Sequence, residues 1–339
     1  MLRHRQLSAF AALACALSLL LVACADDGPD AVAACGSEAD DGAERLVLRM
    51  ISPFRNPITS DEVDRTIEIL CERAETLDAE AVVSRPSELE LEVLLSGEGA
   101  AEAADVIGAP AKLNFYDWEL TLIPDPNAPR DARLETPFPA AYEAIRLASG
   151  IPPDCVEERC TVPGPTSYLF DLRSKELLDG PSLAVEGLLE GRLQGEEPRG
   201  FELLSVRVGT IALREDDDAY WVLRDRPSVY SSEITDPEVR ADPRTGRPAV
   251  HVDFTEEGEV AFRRMTRKIA KRDAPPSVFA VAFDLDLIEL VPVDPVGDRK
   301  GRDPSDGFLV TGDFSLAEAE ELVEFLEIGS PPVGLAPTA

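Results

Sequence analysis

Apolar residues recur along this chain with two different periods, and the changes between them outline its elements. A helix is predicted to open at Thr59, where Glu62 completes a capping box and Val63, Ile67, Leu70, Ala74 and Leu77 keep helical phase on one face. Leu89, Leu91, Val93 and Leu95 instead alternate with Glu88, Glu90 and Glu92, the pattern of a strand with one buried and one wet face. Residues 46–51, 81–85 and 111–117 read as further strands, with a short helix near 100–107. The order βαββαβ predicts an α+β, ferredoxin-like layer of helices on an antiparallel sheet.

The same periods return in the second half. A helix over 257–272 turns Phe262, Met265 and Ile269 to one face, which sets Arg263, Arg264, Arg267, Lys268 and Lys271 together on the other. This basic strip is either a solvated face that pairs with the protein's own carboxylates, or a contact for anionic lipid headgroups or an acidic partner. Phe279, Val281, Phe283 and Leu285 alternate along a strand whose other face carries Asp284 and Asp286, a pattern of core or of a groove for apolar peptide segments. Near the end, Ser315 with Glu318 forms a second capping box, Leu316, Ala319, Val323 and Leu326 share one helix face, and Gly329 stops the helix.

The first residues follow another rule. MLRHRQ is a basic n-region, residues 7–21 are an apolar h-region, and Leu21-Val22-Ala23-Cys24 matches the lipobox of a lipoprotein signal peptide. Residues 1–23 are expected to leave, with Cys24 lipidated and 24–44 a polar tether. No later stretch approaches the ~20 apolar residues of a membrane span, so the expected place is the extracytoplasmic face of a cell membrane, held by lipid. The net charge of −32 argues against nucleic acid as a partner, because phosphates would be repelled. In an oxidising compartment Cys35, Cys71, Cys155 and Cys160 are available for bridges. A local Cys155–Cys160 disulfide would leave Cys35 with Cys71, although three connectivities exist.

Little in the chain points to catalysis. After cleavage His251 is the remaining histidine, on a strand where Val250, Val252 and Phe254 take the other face, and a partly exposed strand histidine is expected. There is no G-x-S-x-G, H-E-x-x-H or phosphate loop, so no enzyme, metal or cofactor is expected. Asp294, Asp298, Asp303 and Asp306 share a loop without EF-hand spacing and read as solvated.

TGDFSLAEAEELVEFLEIG, at 311–329, resembles the end of the first periplasmic domain of the SecD family, membrane subunits that assist secretion through the Sec translocon. The resemblance extends to LVLRM, TSDEVDRTIEILCERAETL, AEAVVSRPSELELEVLL and AADVIGAPAKLNFYD, then to the stretch AYWVLRDRPSVYSSEITDPEVR through FRRMTRKIAKR and to VFAVAFDLDLIELVPV. It implies a base built from both ends of the domain, 45–119 and 308–330, a head inserted at 120–307, and a tail at 331–339. In that family a transmembrane helix follows, and a G-L-D-L-x-G-G motif precedes the first strand; here the sequence reads SPPVGLAPTA and DDGAERLVL. The expected function is therefore a lipid-anchored auxiliary of Sec-dependent export that captures or guides polypeptide without its own proton-driven motor. Translocated preproteins, the Sec translocon and SecD/SecF are the implied partners. The alternatives are an envelope ligand-binding or structural lipoprotein that reuses the fold, and a carboxylate-based hydrolase.

Overall fold

The computed structural model describes residues 33–35, 43–52, 57–152, 166–183, 185–189, 200–216, 219–273 and 277–338. Cys24, Cys155 and Cys160 lie outside them. Strands β1 (Ala33–Ala34), β2 (Glu44–Ile51), β3 (Ala79–Ser87) and β4 (Glu90–Gly97) are joined by a final strand, β17 (Gly334–Thr338), in one antiparallel sheet of order β1-β3-β4-β2-β17. Helices α1 (Ser60–Thr76) and α2 (Ala100–Val106) cover it. The Thr59 and Glu62 capping box is formed, and Val63, Ile67, Leu70 and Ala74 are buried against Leu91, Val93 and Leu95.

Leaving out the two-residue β1, the order β3-β4-β2-β17 is that of a ferredoxin-like fold, with β17 as its fourth strand. That corrects two expectations. The sequence assigned the fourth strand to 111–117 and left 331–339 as a tail. Instead β5 (Leu113–Asp117) is buried along its whole length, with Leu113 and Phe115 in one core and Tyr116 in another. A strand apolar on both faces suits a position between two cores. β17 takes the fourth place in the base, with Leu335 buried opposite Met50.

The part inserted between α2 and β17 has three sheets. A six-stranded sheet runs β5-β14-β15-β10-β11-β6, from β6 (Leu122–Ile123), β10 (Thr210–Asp216), β11 (Ala219–Arg224), β14 (Val278–Phe283) and β15 (Asp286–Pro292). A second sheet runs β12 (Ile234–Ala241), β13 (Pro248–Phe254), β16 (Phe308–Val310). A third runs β8 (Leu177–Ser182), β7 (Thr166–Asp171), β9 (Phe201–Val206). Helices α3 (Trp118–Thr121), α4 (Ala141–Gly150), α5 (Val185–Leu189), α6 (Glu256–Ile269) and α7 (Leu316–Ile328) complete it.

Phe115, Phe254, Phe262, Phe279 and Phe308 meet in the head core, with Phe254 and Phe262 stacked at 5.0 Å between ring centroids. On the opposite face of the six-stranded sheet, Trp118 meets Trp221 edge-on at 4.8 Å beside Ala280 and Ala282. β14 is thus buried on both faces, large residues on one and small on the other. Residues 308–328, expected in the base, pack mainly with the head, and α7 also meets α1 of the base. β16 pairs with β13, and Ala319 and Leu322 of α7 enter the phenylalanine core. Cys35 is bonded to Cys71, which ties the segment after β1 to α1 across a sequence separation of 36.

Candidate functional site

The basic strip lies on α6. Thr255 caps its N-terminus by accepting from Gly258 N–H, and Glu256, Glu257 and Glu259 fill its first turn, the sign favoured by the helix dipole. Phe262, Met265 and Ile269 are buried, and Arg263, Arg264, Arg267, Lys268 and Lys271 are all exposed. The helix ends at Ile269, so Lys271 stands just past it on a continuing turn. Two of the five have acidic neighbours: Arg263 is 3.6 Å from Asp303, and Lys268 is 3.5 Å from the buried carboxylate of Asp117. Asp117 also binds Arg272, which reaches Glu119 at 3.2 Å. Burial holds the Glu119 carboxyl above the usual range, against the opposing pull of Arg272. Arg264, Arg267 and Lys271 make no ion pair with a described residue. Spaced i, i+3 and i+7, they form one open cationic line.

His251 is buried, not partly exposed, because the loop before β16 crosses directly over it. Nε2 lies 2.8 Å from the Asp306 carbonyl oxygen and so donates to it. Gly307, at φ +69°, passes so close that an added Cβ would sit 2.5 Å from Nε2. The acidic loop is used locally. Asp294 accepts from Val296 N–H, Asp298 from Arg302 and from Asp294 N–H, and Asp303 from Ser305 N–H. Among the described residues no group of three metal-ligating side chains converges.

A second polar centre joins base and head, and the sequence patterns did not single it out. Arg73, on the buried face of α1, donates to the carbonyl oxygens of Ile107 and Ala109 at 2.9 and 2.5 Å and to that of Gly329 at 2.8 Å. These carbonyls belong to the two chain segments that cross between base and head. The guanidinium also lies 5.0 Å from the centre of the Phe325 ring, and burial pulls its pKa down to about 10. Asp284, in the β14–β15 turn at φ +50°, accepts from Ala111 N–H at 3.0 Å and Lys112 N–H at 2.8 Å on the first crossing. Burial outweighs those bonds and raises its pKa to about 6. The sequence placed Asp284 on a strand face together with Asp286, whereas it lies in the turn after β14. A lone arginine in an otherwise apolar helix stripe was the signal available for Arg73.

Comparison with known proteins bears on the head. Residues 209–333 match the family model described as SecDF, P1 head subdomain. That match includes β16 and α7, which pack with the head, and begins well after residue 120, where the sequence had the head begin. Among solved structures, SecDF described as a membrane component that enhances protein export is similar with a TM-score of 0.46 and 17% identity, over 87% of this chain and 98% of that one. SecDF in a super-membrane-facing form is similar with a TM-score of 0.46 and 18% identity, over 88% of this chain and 30% of that one. No curated protein matches. Over residues 209–333 the chain is thus similar to the SecDF P1 head subdomain.

Proposed function

We propose that this protein is a lipid-anchored, extracytoplasmic auxiliary of Sec-dependent protein export, which captures or guides translocated polypeptide passively. The observation that carries this reading is the match of residues 209–333 to the family model described as SecDF, P1 head subdomain. The lipobox ending at Cys24 supports the anchor, and among the described residues no helix is long and apolar enough to cross a membrane. Proton-driven work needs ionisable groups inside membrane helices, so in this reading the protein holds or orients its client and supplies no motor. The cationic line Arg264, Arg267 and Lys271 is the proposed contact surface for an acidic stretch of a partner, since its charge is opposite to that of the chain as a whole.

Site-specific photocrosslinking in cells tests the proposal, with probes at Arg264 and Phe283 on the head and a control at Glu90 on the base. Crosslinks from the head to Sec subunits or to secretory chains in transit, lost when export is blocked, are expected. Equal, export-independent labelling of unrelated envelope proteins from head and base overturns the reading.

A further inference from the structure

The base and head enclose a half-open cavity of about 460 Å³. Leu46 and Leu48 of β2 and Leu335 of β17 line it from the base, Ile211 of β10 and Leu285 of the β14–β15 turn from the six-stranded sheet, and Leu183 from the end of β8. Its volume lies toward the lower end of the range of about 300–1,000 Å³ typical of small-molecule pockets, and its walls are mostly apolar, as such pockets are. Three separate parts of the chain meet there, and apolar surface between them stays uncovered where ordinary packing would close it.

The polar groups on the wall are unequal. The Asp284 carboxylate already accepts two backbone N–H groups, from Ala111 and Lys112. Asp286 accepts from Arg214 Nε at 2.8 Å. The Asn114 side-chain oxygen accepts from Ser231 N–H at 3.1 Å. Lys112 is the cation on the wall, and an ammonium has three N–H donors, so a ligand oxygen can join whatever it already holds. Burial pulls the Lys112 pKa down more than the nearby carboxylates of Asp284 and Asp225 push it up. Arg73, which also acts on Asp284, adds positive charge behind that wall.

We propose that this cavity binds a single-chain amphiphile with an anionic oxygen head, the acyl chain lying among Leu46, Leu48, Leu183, Ile211, Leu285 and Leu335 and the head at Lys112. A fatty acid and a lysophospholipid share this chemistry. The site is independent of the role in export, because its walls come from the base, the six-stranded sheet and the end of β8 and include none of the basic residues of α6.

Calorimetric titration of the intact mature protein tests it with octanoate, decanoate and dodecanoate below their micellar concentrations. Dodecyltrimethylammonium serves as the control of opposite head charge. Affinity is expected to rise about fourfold per CH₂ added, following the transfer cost of a methylene, and the cationic control is expected to bind at least tenfold more weakly than dodecanoate. Lys112→Met, which keeps the side-chain stem, is expected to weaken dodecanoate tenfold or more. Gly108→Val, whose Cβ meets Leu48 and Leu335 at an ordinary 3.6 Å, is expected to fill the cavity and abolish binding of all three chains. Thermal unfolding of each variant verifies that it is folded. Mass spectrometry of an organic extract of the purified protein distinguishes a fatty acid from a lysophospholipid as the natural source. Absence of binding, equal binding of the cationic control, or binding unchanged in both folded variants overturns the proposal.

Discussion

A carboxylate buried in a turn sets the clearest residue-level consequence. The Asp284 pKa is raised from the usual 3.8 to about 6, burial being the cause that wins over its two backbone hydrogen bonds. The folded protein therefore holds the proton over a window in which the unfolded chain has lost it. Stability from this group is greatest below about pH 4, falls as pH rises toward 6, and is level above about pH 7. Two pKa units correspond to about 3 kcal/mol. Asp284→Asn removes the titration, so wild-type stability relative to this variant is expected to drop by about 2–3 kcal/mol between pH 4 and pH 7 in denaturant unfolding. A pH-independent difference would contradict it. Arg73 is the complementary case, a charge held at the junction by three carbonyl oxygens from segments far apart in sequence. Neither role could be read from local pattern, because Asp284 looked like one of many acids, and the carbonyls that hold Arg73 carry no signature in the residues that own them.

At the scale of elements, period and capping were legible and partnership was not. The capping boxes at Thr59–Glu62 and Ser315–Glu318 and the buried stripe of α1 formed as the spacing required, since each depends on residues within a turn or two. The basic face of α6 is legible for the same reason. Which strand completed the base was not, because β5 and β17 are both short and both end a plausible βαββαβ order. The pairing decided it, since β17 pairs with β2 and β5 pairs with β14. Leu335 of β17 is buried at 6% exposure, opposite Met50 and near Leu48. Leu335→Ala is expected to cost about 2–4 kcal/mol, as for other buried large-to-small changes, and to raise hydrogen exchange along β2. A change within about 0.5 kcal/mol would mean that β17 does not belong to the folded base.

For the whole molecule, the Cys35–Cys71 bond fixes the start of the described chain against α1. Closing a loop with a sequence separation of 36 is worth about 3–4 kcal/mol in the chain-entropy account. Cys35→Ser with Cys71→Ser is accordingly expected to lower the unfolding free energy by that amount, and adding reductant to the wild type should reproduce the loss. No effect of either would show that the bond does not form in solution. The strong negative charge needs only composition, and the α+β class follows from the periods of the apolar residues. Sequence by itself determined these because helix phase, strand alternation, capping and net charge are properties of neighbouring or summed residues. Only the tertiary structure decided that α7 packs into the head, that His251 is covered, that Arg73 and Asp284 meet both sides of the junction, and that a cavity remains there. Each of these depends on which distant surfaces exclude water together, and that is fixed by packing across the chain and not along it.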